Sequence, residues 1–204
     1  MTRTYTTKMA MMLTLLMLAV SVFAAQASAA PKDRNDNGIP DAWEKAHDLS
    51  TKKDQGNRDA DGDGARNRCE YQAKTDPGVA DSDADTIVDG DEDTDGDGAT
   101  NRAESNLHSN CGRANSHLQI RRATVTSLTD GVLVLTVRGG GTVTAPVSST
   151  LRCSVKKATD DASTSSEGKG SPKSSCAVAD LVTGAKVHKA RTKGGKFVAV
   201  TLVK

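Results

Sequence analysis

Hydrophobic and polar residues follow three different patterns along this chain. Met9 to Ala25 is a nearly continuous apolar run, and Asp33 to Glu104 is polar with isolated apolar positions and no sustained period. Beyond about Leu118 the chain alternates apolar and polar residues. The first pattern reads as a secretory signal peptide. Arg3 and Lys8 form a positive segment ahead of the apolar run, and Ala27-Ser28-Ala29 is a small-x-small cleavage signature. Cleavage is expected after Ala29, because a cut after Ala30 would place Pro31 just beyond the scissile bond. The apolar run is short for a bilayer span, no later segment is apolar enough for one, and no Cys follows to carry a lipid. The mature chain is therefore expected to be secreted or at the cell surface, with no transmembrane anchor.

The third pattern has period two and predicts strands. Ala123 to Leu128 alternates, Thr129-Asp130-Gly131 turns, and Val132 to Val137 is a strong β run. Gly139-Gly140-Gly141 turns again before a strand from Thr142 to Val147, in which Pro146 limits central pairing. Leu151 to Lys156 is a further strand. Ala158 to Ser175, irregular in Ser, Lys, Gly and Asp, reads as a flexible surface loop. Cys176 to Leu181 fits one helical turn, and Ala185 to Arg191 with Lys196 to Val203 makes a hairpin around Lys193-Gly194-Gly195. Several short strands in so little chain predict a small closed or nearly closed barrel.

The polar middle carries the chemistry. One spacing recurs four times, with oxygen-bearing residues at positions 1, 3, 5 and 9 and Glu at position 12. The first copy is Asp33, Asn35, Asn37, Ile39, Asp41 and Glu44; the second is Asp59, Asp61, Asp63, Ala65, Asn67 and Glu70. The third is Asp81, Asp83, Asp85, Ile87, Asp89 and Glu92, and the fourth is Asp93, Asp95, Asp97, Ala99, Asn101 and Glu104. Side-chain oxygens at 1, 3 and 5, a backbone carbonyl at 7, an oxygen or bound water at 9 and a bidentate Glu at 12 are the ligand order of an oxygen-only Ca²⁺ loop. Gly38, Gly64 and Gly98 stand at position 6, where a sharp turn needs positive φ. The third loop has Thr86 there instead, which strains the turn. Two Asn ligands give the first loop less charge, so it is expected to bind more weakly.

These segments resemble bacterial extracellular calcium repeats. Asp33 to Trp43 is similar to the D-x-N-x-N-G-I-P-D-x-W form of such repeats. Asp59 to Pro77 resembles their D-x-D-G-D-G-x-x-N-x-x-E-Y…T-D-P unit, and Asp81 to Glu104 resembles two abutting thrombospondin type 3 repeats with EF-hand-like loops. Ala84 and Thr86 depart from the pattern, where glycines are usual. The resemblance implies calcium-wrapped loops with fragments of helix, used as stalks, spacers or adhesive modules. Ala179 to Val187 more distantly resembles a step of small OB-like barrels. The expected fold is mostly irregular calcium-loop repeats with short helical turns at 30–117, after a signal peptide at 1–29. A small all-β barrel at 118–204 follows, with its flexible loop at 158–175.

Charge and cysteines refine this picture. Pro31 to His117 holds 21 acidic and 11 basic residues, whereas Leu118 to Lys204 holds 14 basic and five acidic ones, beneath an overall charge of +1. A basic half can serve an anionic surface polymer or another extracellular protein, attract the acidic half, or simply be solvated. The four Cys suit an oxidising compartment. Pairings within each half, Cys69 with Cys111 and Cys153 with Cys176, are the economical choice of the three possible. No CxxC spacing supports zinc. No nucleophile elbow, Walker loop or metalloprotease helix is present, so no catalytic residue and no enzyme is expected. Aromatics make up 2% of the chain, which also argues against nucleic acid as a partner. Trp43, Tyr71, Ile39, Leu49, Ile87 and Val88 supply most of the acidic half's apolar material. That half is expected to fold on binding Ca²⁺, and the barrel to be indifferent to it.

Overall fold

The alternation in the second half is resolved as six strands in the computed structural model, which describes residues 30–156 and 174–203. The signal-peptide segment at 1–29 and residues 157–173 of the expected flexible loop lie outside the described residues. The strands are β1 (Gln119–Thr129), β2 (Val132–Val137), β3 (Thr142–Lys156), β4 (Ser174–Ser175), β5 (Lys186–Lys193) and β6 (Lys196–Val203). β1 pairs antiparallel with β2 and β5, β2 with β3, and β5 with β6; β3 and β6 run parallel and close the ring. The result is a closed five-stranded barrel, to which the two-residue β4 adds on β3.

Turn chemistry sets the register. Asp130 and Gly131 take φ of 52° and 77°, the positive pair that a two-residue hairpin turn needs, so β1 and β2 start in step at Thr129–Val132. They hold that register to Ser127–Val134, beyond which an irregularity before Val125 shifts it by one residue. Inward positions hold Ile120, Val125, Leu133, Leu135, Val143, Phe197, Val200 and Leu202, all essentially buried. Each such side chain removed from water contributes on the order of 1.5–3 kcal/mol. The two strands expected at Thr142–Val147 and Leu151–Lys156 are one long strand with an irregularity between Val147 and Arg152. Pro146 sits where β3 ends its pairing with β2 and passes to β6, a place where a missing N–H costs little. The helical turn expected near Cys176 is a 3-10 turn at Val178–Asp180. Cys153–Cys176 ties β3 to the residue after β4, with Cα atoms 5.0 Å apart.

In the acidic half three helices are short: α1 (Asp41–Ala46), α2 (Asn67–Ala73) and α3 (Asn101–Leu107), with a 3-10 turn at Asp89–Asp91. None is long enough to hold itself in water. Trp43 of α1 meets Tyr71 of α2 edge to face, their ring centres 5.4 Å apart. Cys69–Cys111 joins α2 to the tail beyond α3, and both sulfurs are buried with Ala65. Ile87, expected in this small core, is 49% exposed, because nothing packs over the third loop at that point.

Residues Lys32–Lys204 pack as one unit, and the join between repeats and barrel is specific. β6 reaches β3 only from Val147 onward, which leaves the Thr142–Ala145 stretch without β6 along one edge. The fourth loop lies on that edge. Thr144 N–H donates to the Gly98 carbonyl at 2.6 Å, Thr100 N–H to the Thr142 carbonyl at 3.0 Å, and Ala99 bridges Val143. Ala99 and Ala103 are 0% exposed and complete the barrel's own core.

A Cβ on Gly98 would collide with the Thr144 carbonyl, whereas one on Gly96 would meet nothing within 4 Å, although both residues have positive φ (93° and 74°). Gly96→Ala should therefore show only the backbone strain of about 1–2 kcal/mol. Gly98→Ala should destabilise the protein further, by roughly 1–3 kcal/mol more, and should expose the Thr144 amide. Denaturant unfolding of both variants with amide exchange checks this; equal destabilisation would refute the docking.

Candidate metal centre

The four loops repeat one set of backbone bonds. The position-1 carboxylate accepts the position-6 N–H in all four: Asp33 from Gly38, Asp59 from Gly64, Asp81 from Thr86 and Asp93 from Gly98, at 2.9, 3.0, 3.0 and 2.8 Å. Position 3 accepts from the position-5 N–H through Asn35, Asp61, Asp83 and Asp95. Position 5 accepts from the position-7 N–H through Asn37, Asp63, Asp85 and Asp97, onto Ile39, Ala65, Ile87 and Ala99. The position-9 N–H then donates to the carbonyl just before position 1, at 2.7 Å from Asp41, 2.8 Å from Asn67, 2.9 Å from Asp89 and 2.7 Å from Asn101. That bond closes each loop and aims the side-chain oxygens inward. In the second, third and fourth loops the three Asp carboxylates bring ligand atoms within 4.8 Å of one another.

A helix delivers position 12. α1, α2 and α3 each begin at position 9, so Glu44, Glu70 and Glu104 lie in the first turn, and each is 0% exposed. Glu92 is only partly buried and extended, since the fourth loop begins at the next residue and leaves space only for a 3-10 turn. The third loop nevertheless adopts the shared backbone: Ala84 and Thr86 take φ of 61° and 82°, at the positions where Gly62 and Gly64, and Gly96 and Gly98, stand in its neighbours.

Position 9 behaves differently from the other ligand positions. The Asp41 carboxylate accepts from the Arg34 backbone N–H at 3.0 Å and pairs with its guanidinium at 3.2 Å. Asp89 accepts from Ser82 N–H and Oγ, and Asn101 Nδ2 donates to the Asp89 carbonyl and Thr94 Oγ1. These three side chains tie down position 2 of their own loops, which agrees with a bound water as the ligand at position 9. Asn67 is buried with neither amide atom bonded among the described residues. In the first loop Asn35 and Asn37 both donate Nδ2 to Glu44 Oε1, at 2.8 and 2.9 Å, so their amides already satisfy the Glu that a cation would claim.

Buried oxygens without a hydrogen-bond donor test whether a cation fits. Both Glu70 oxygens and Asp61 Oδ2 are in that state in the second loop, Glu104 Oε2 and Asp95 Oδ2 in the fourth, and Asp33 Oδ1 and Glu44 Oε2 in the first. A buried carboxylate left unpaired costs several kcal/mol, so oxygens gathered this way fit a hard divalent ion. Burial and the neighbouring Asp61, Asp63 and Asp59 charges push Glu70 from the ordinary 4.5 up to about 9. Burial with Asp95 and Asp97 lifts Glu104 likewise to about 9. Burial also raises Glu92, with the charges of Asp83, Asp89, Asp85 and Asp81 adding to it.

Some contributors lie outside any loop-local spacing. Asn115 Nδ2 donates to Glu104 Oε1 at 2.8 Å and its backbone N–H to Asp97 Oδ2 at 2.8 Å, while Ser109 Oγ donates to Glu104 Oε1 at 3.1 Å. Gly90 N–H from the third loop donates to Asp63 Oδ2 of the second at 2.5 Å, and Arg102 donates to the Asp63 carbonyl. Only the folded chain brings these groups together.

Residues 59–78 and 93–110 match the family model of the bacterial TSP3 repeat. No curated protein and no solved structure matches the chain. The two repeat matches and the three Asp clusters mark a calcium-binding structural module, of a repeat type that is structural and not enzymatic. Disulfides and repeats of this kind suit an extracellular protein, and among the described residues no helix is long and apolar enough to cross a membrane.

Two outcomes are expected here. In the metal-free fold Glu70 and Glu104 keep protons that the unfolded chain releases above about 4.5. Metal-free stability therefore falls as pH rises from about 4.5 toward 9, and Ca²⁺ affinity rises over the same window because the cation replaces those protons. Calorimetry at pH 7 in buffers of different ionisation enthalpy should show proton release, and a pH-independent affinity between 5 and 8 would contradict it. Separately, Ala84→Gly with Thr86→Gly should relieve about 1–2 kcal/mol at each position and tighten the third loop's binding several-fold, read by Ca²⁺ titration.

Proposed function

We propose that this chain is an exported structural module folded by three to four Ca²⁺, with the loop residues at positions 1, 3, 5 and 12 as side-chain ligands and the position-7 carbonyls of Ile39, Ala65, Ile87 and Ala99 completing each shell. The observation that carries this reading is the buried Glu at position 12 with unpartnered oxygens, set against Asp61 and Asp95, which have an unpartnered oxygen of their own. The leader pattern at 1–29 supports secretion, where weak affinities of about 10⁻⁴–10⁻³ M suffice for extracellular modules. A structural or adhesive role is supported by the repeat type and by loops whose carboxylates converge on one another, as a cation's ligands do. In this reading 30–117 holds the metal, 118–204 is the barrel, and the fourth loop splices them together.

That splice changes the expectation that the barrel would be indifferent to calcium. A cation in the fourth loop fixes Gly98, Ala99 and Thr100, the residues that cover β3. Whatever binds only the folded state stabilises it, by about 2.7 kcal/mol per site at a hundred times Kd.

Calorimetry should therefore count three to four Ca²⁺ per chain, with Mg²⁺ a poor substitute because it demands a tight octahedron and retains water; fewer than two ions would sink the reading. Glu70→Gln and Glu104→Gln should each abolish one site, and Glu92→Gln should matter least. Chelator should open 31–115 to protease and redden Trp43 fluorescence. It should also lower the barrel's melting temperature, an effect reproduced by Glu104→Gln but not by Glu70→Gln. A barrel with one melting temperature in chelator and in calcium would refute the splice.

A further inference from the structure

The strands of the barrel contain no Asp or Glu, yet they carry most of its Lys and Arg. Register decides where those cations go. Val187, Ala190 and Thr192 of β5 face inward, so Lys189, Arg191 and Lys193 face out. Arg121 of β1 lies directly opposite Lys189, and Lys193 opposite Lys196 across the closing turn. On the other side of β5, Arg191 pairs with Ala199 of β6, which pairs in turn with Arg152 of β3. Lys189 pairs with Thr201, itself hydrogen-bonded to Ser154.

The small side chains of Ala199 and Thr201 thus form a low strip, with cations on β5 and β1 along one side and Arg152 on the other. Neighbouring strands are about 4.8 Å apart, so Arg152 and Arg191 stand roughly 10 Å apart across the strip. Like charges placed directly opposite each other on a sheet are destabilising. Among the described residues none of Arg121, Arg152, Lys189, Arg191, Lys193 and Lys196 makes an ion pair, and the two ion pairs found there, Arg34–Asp41 and Arg102–Asp91, lie within the repeats. The acidic half therefore does not neutralise this face by direct pairing. On the adjoining side, the outward positions of β2 (Val132, Val134 and Thr136) are uncharged.

We propose that the outer face of β1, β5, β6 and β3 is a docking surface for an acidic polysaccharide, laid along the Ala199–Thr201 strip with its carboxylates or sulfates between Arg152 and the Arg121–Lys189–Arg191 group. Nucleic acid fits this face poorly, because the barrel's one aromatic residue, Phe197, is 0% exposed and offers no base a stacking surface. The surface does not depend on the assignment of calcium to the loops.

The test uses the whole mature chain in saturating calcium, with hyaluronate as the probe and dextran of equal length as the neutral control. Hyaluronate should bind and dextran should not, and affinity should fall steeply between low and moderate salt. Arg121→Glu, Lys189→Glu and Arg191→Glu should each weaken binding about tenfold, the loss of one charge-assisted bond. Reversal at a site crowded with like charge should not unfold the barrel; the neutral variants Lys189→Gln and Arg191→Gln, with thermal melts, cover that contingency. Lys52→Glu and Arg113→Glu change net charge equally from exposed positions in the acidic half and should leave affinity unaltered. Equal loss from all variants would overturn the proposal in favour of diffuse attraction, as would tighter binding of single-stranded DNA or polyphosphate than of hyaluronate. Loss of Ca²⁺ stoichiometry with hyaluronate binding intact would overturn the calcium reading alone.

Discussion

Mutual repulsion among carboxylates gathered at two-residue spacing is the constraint on which the acidic half depends. Asp59, Asp61 and Asp63 converge around Glu70, and Asp93, Asp95 and Asp97 around Glu104, with both Glu side chains buried. Backbone N–H groups satisfy one oxygen of Asp61 and of Asp95 and both oxygens of Asp63 and of Asp97, but one oxygen of Asp61, Asp95 and Glu104 and both of Glu70 have no donor. Protonating the Glu is one escape, which is why Glu70 and Glu104 are pushed to about 9. A hard divalent cation is the other, and it satisfies more oxygens at once. The apolar alternative is closed, because the buried cluster of this half outside the barrel core is little more than Ala65, Cys69 and Cys111.

From that constraint the loops acquire unequal characters. The second and fourth combine an all-Asp cluster with a helix that buries its Glu. In the first, Asn35 and Asn37 hydrogen-bond Glu44 themselves, so a cation must displace bonds already made. The third has the Asp cluster but lacks the helix and the glycines, and its Ala84 and Thr86 are held at positive φ. Its neighbours impose that shape: Asn101 from the fourth loop grips the Asp89 carbonyl, and Asp63 of the second accepts the Gly90 N–H. Strain at two residues is tolerated because the loops on either side over-determine the backbone.

The barrel solves a different problem, the closure of five strands without an exposed edge. β3 achieves this by pairing with β2 in its first half and β6 in its second, and the fourth loop covers the stretch that β6 does not reach. A metal loop thereby becomes part of a β-sheet, and Ala99 serves both as the position-7 residue and as barrel core.

Local patterns were legible in the sequence because local chemistry determines them. Loop positions 1 to 12 carry their own hydrogen-bond partners within twelve residues, the Asp130-Gly131 and Gly194-Gly195 turns fix hairpins, and period-two alternation marks β2, β5 and β6. Cysteine pairing within each half followed from proximity along the chain. Three things were decided only by tertiary structure. Ile87 was read as core from its apolar character, but a third loop without a following helix has nothing to bury it. Ser109 reaches Glu104 because α3 ends at His108 in a left-handed turn, and Asn115 does so from the tail beyond the Cys69–Cys111 bond, which no spacing within a loop reveals. The docking of Gly98 to Thr100 on β3 joined two halves that composition and charge had separated. Charge reports only long-range attraction, whereas an unpaired strand edge must find hydrogen-bond partners wherever the fold places them.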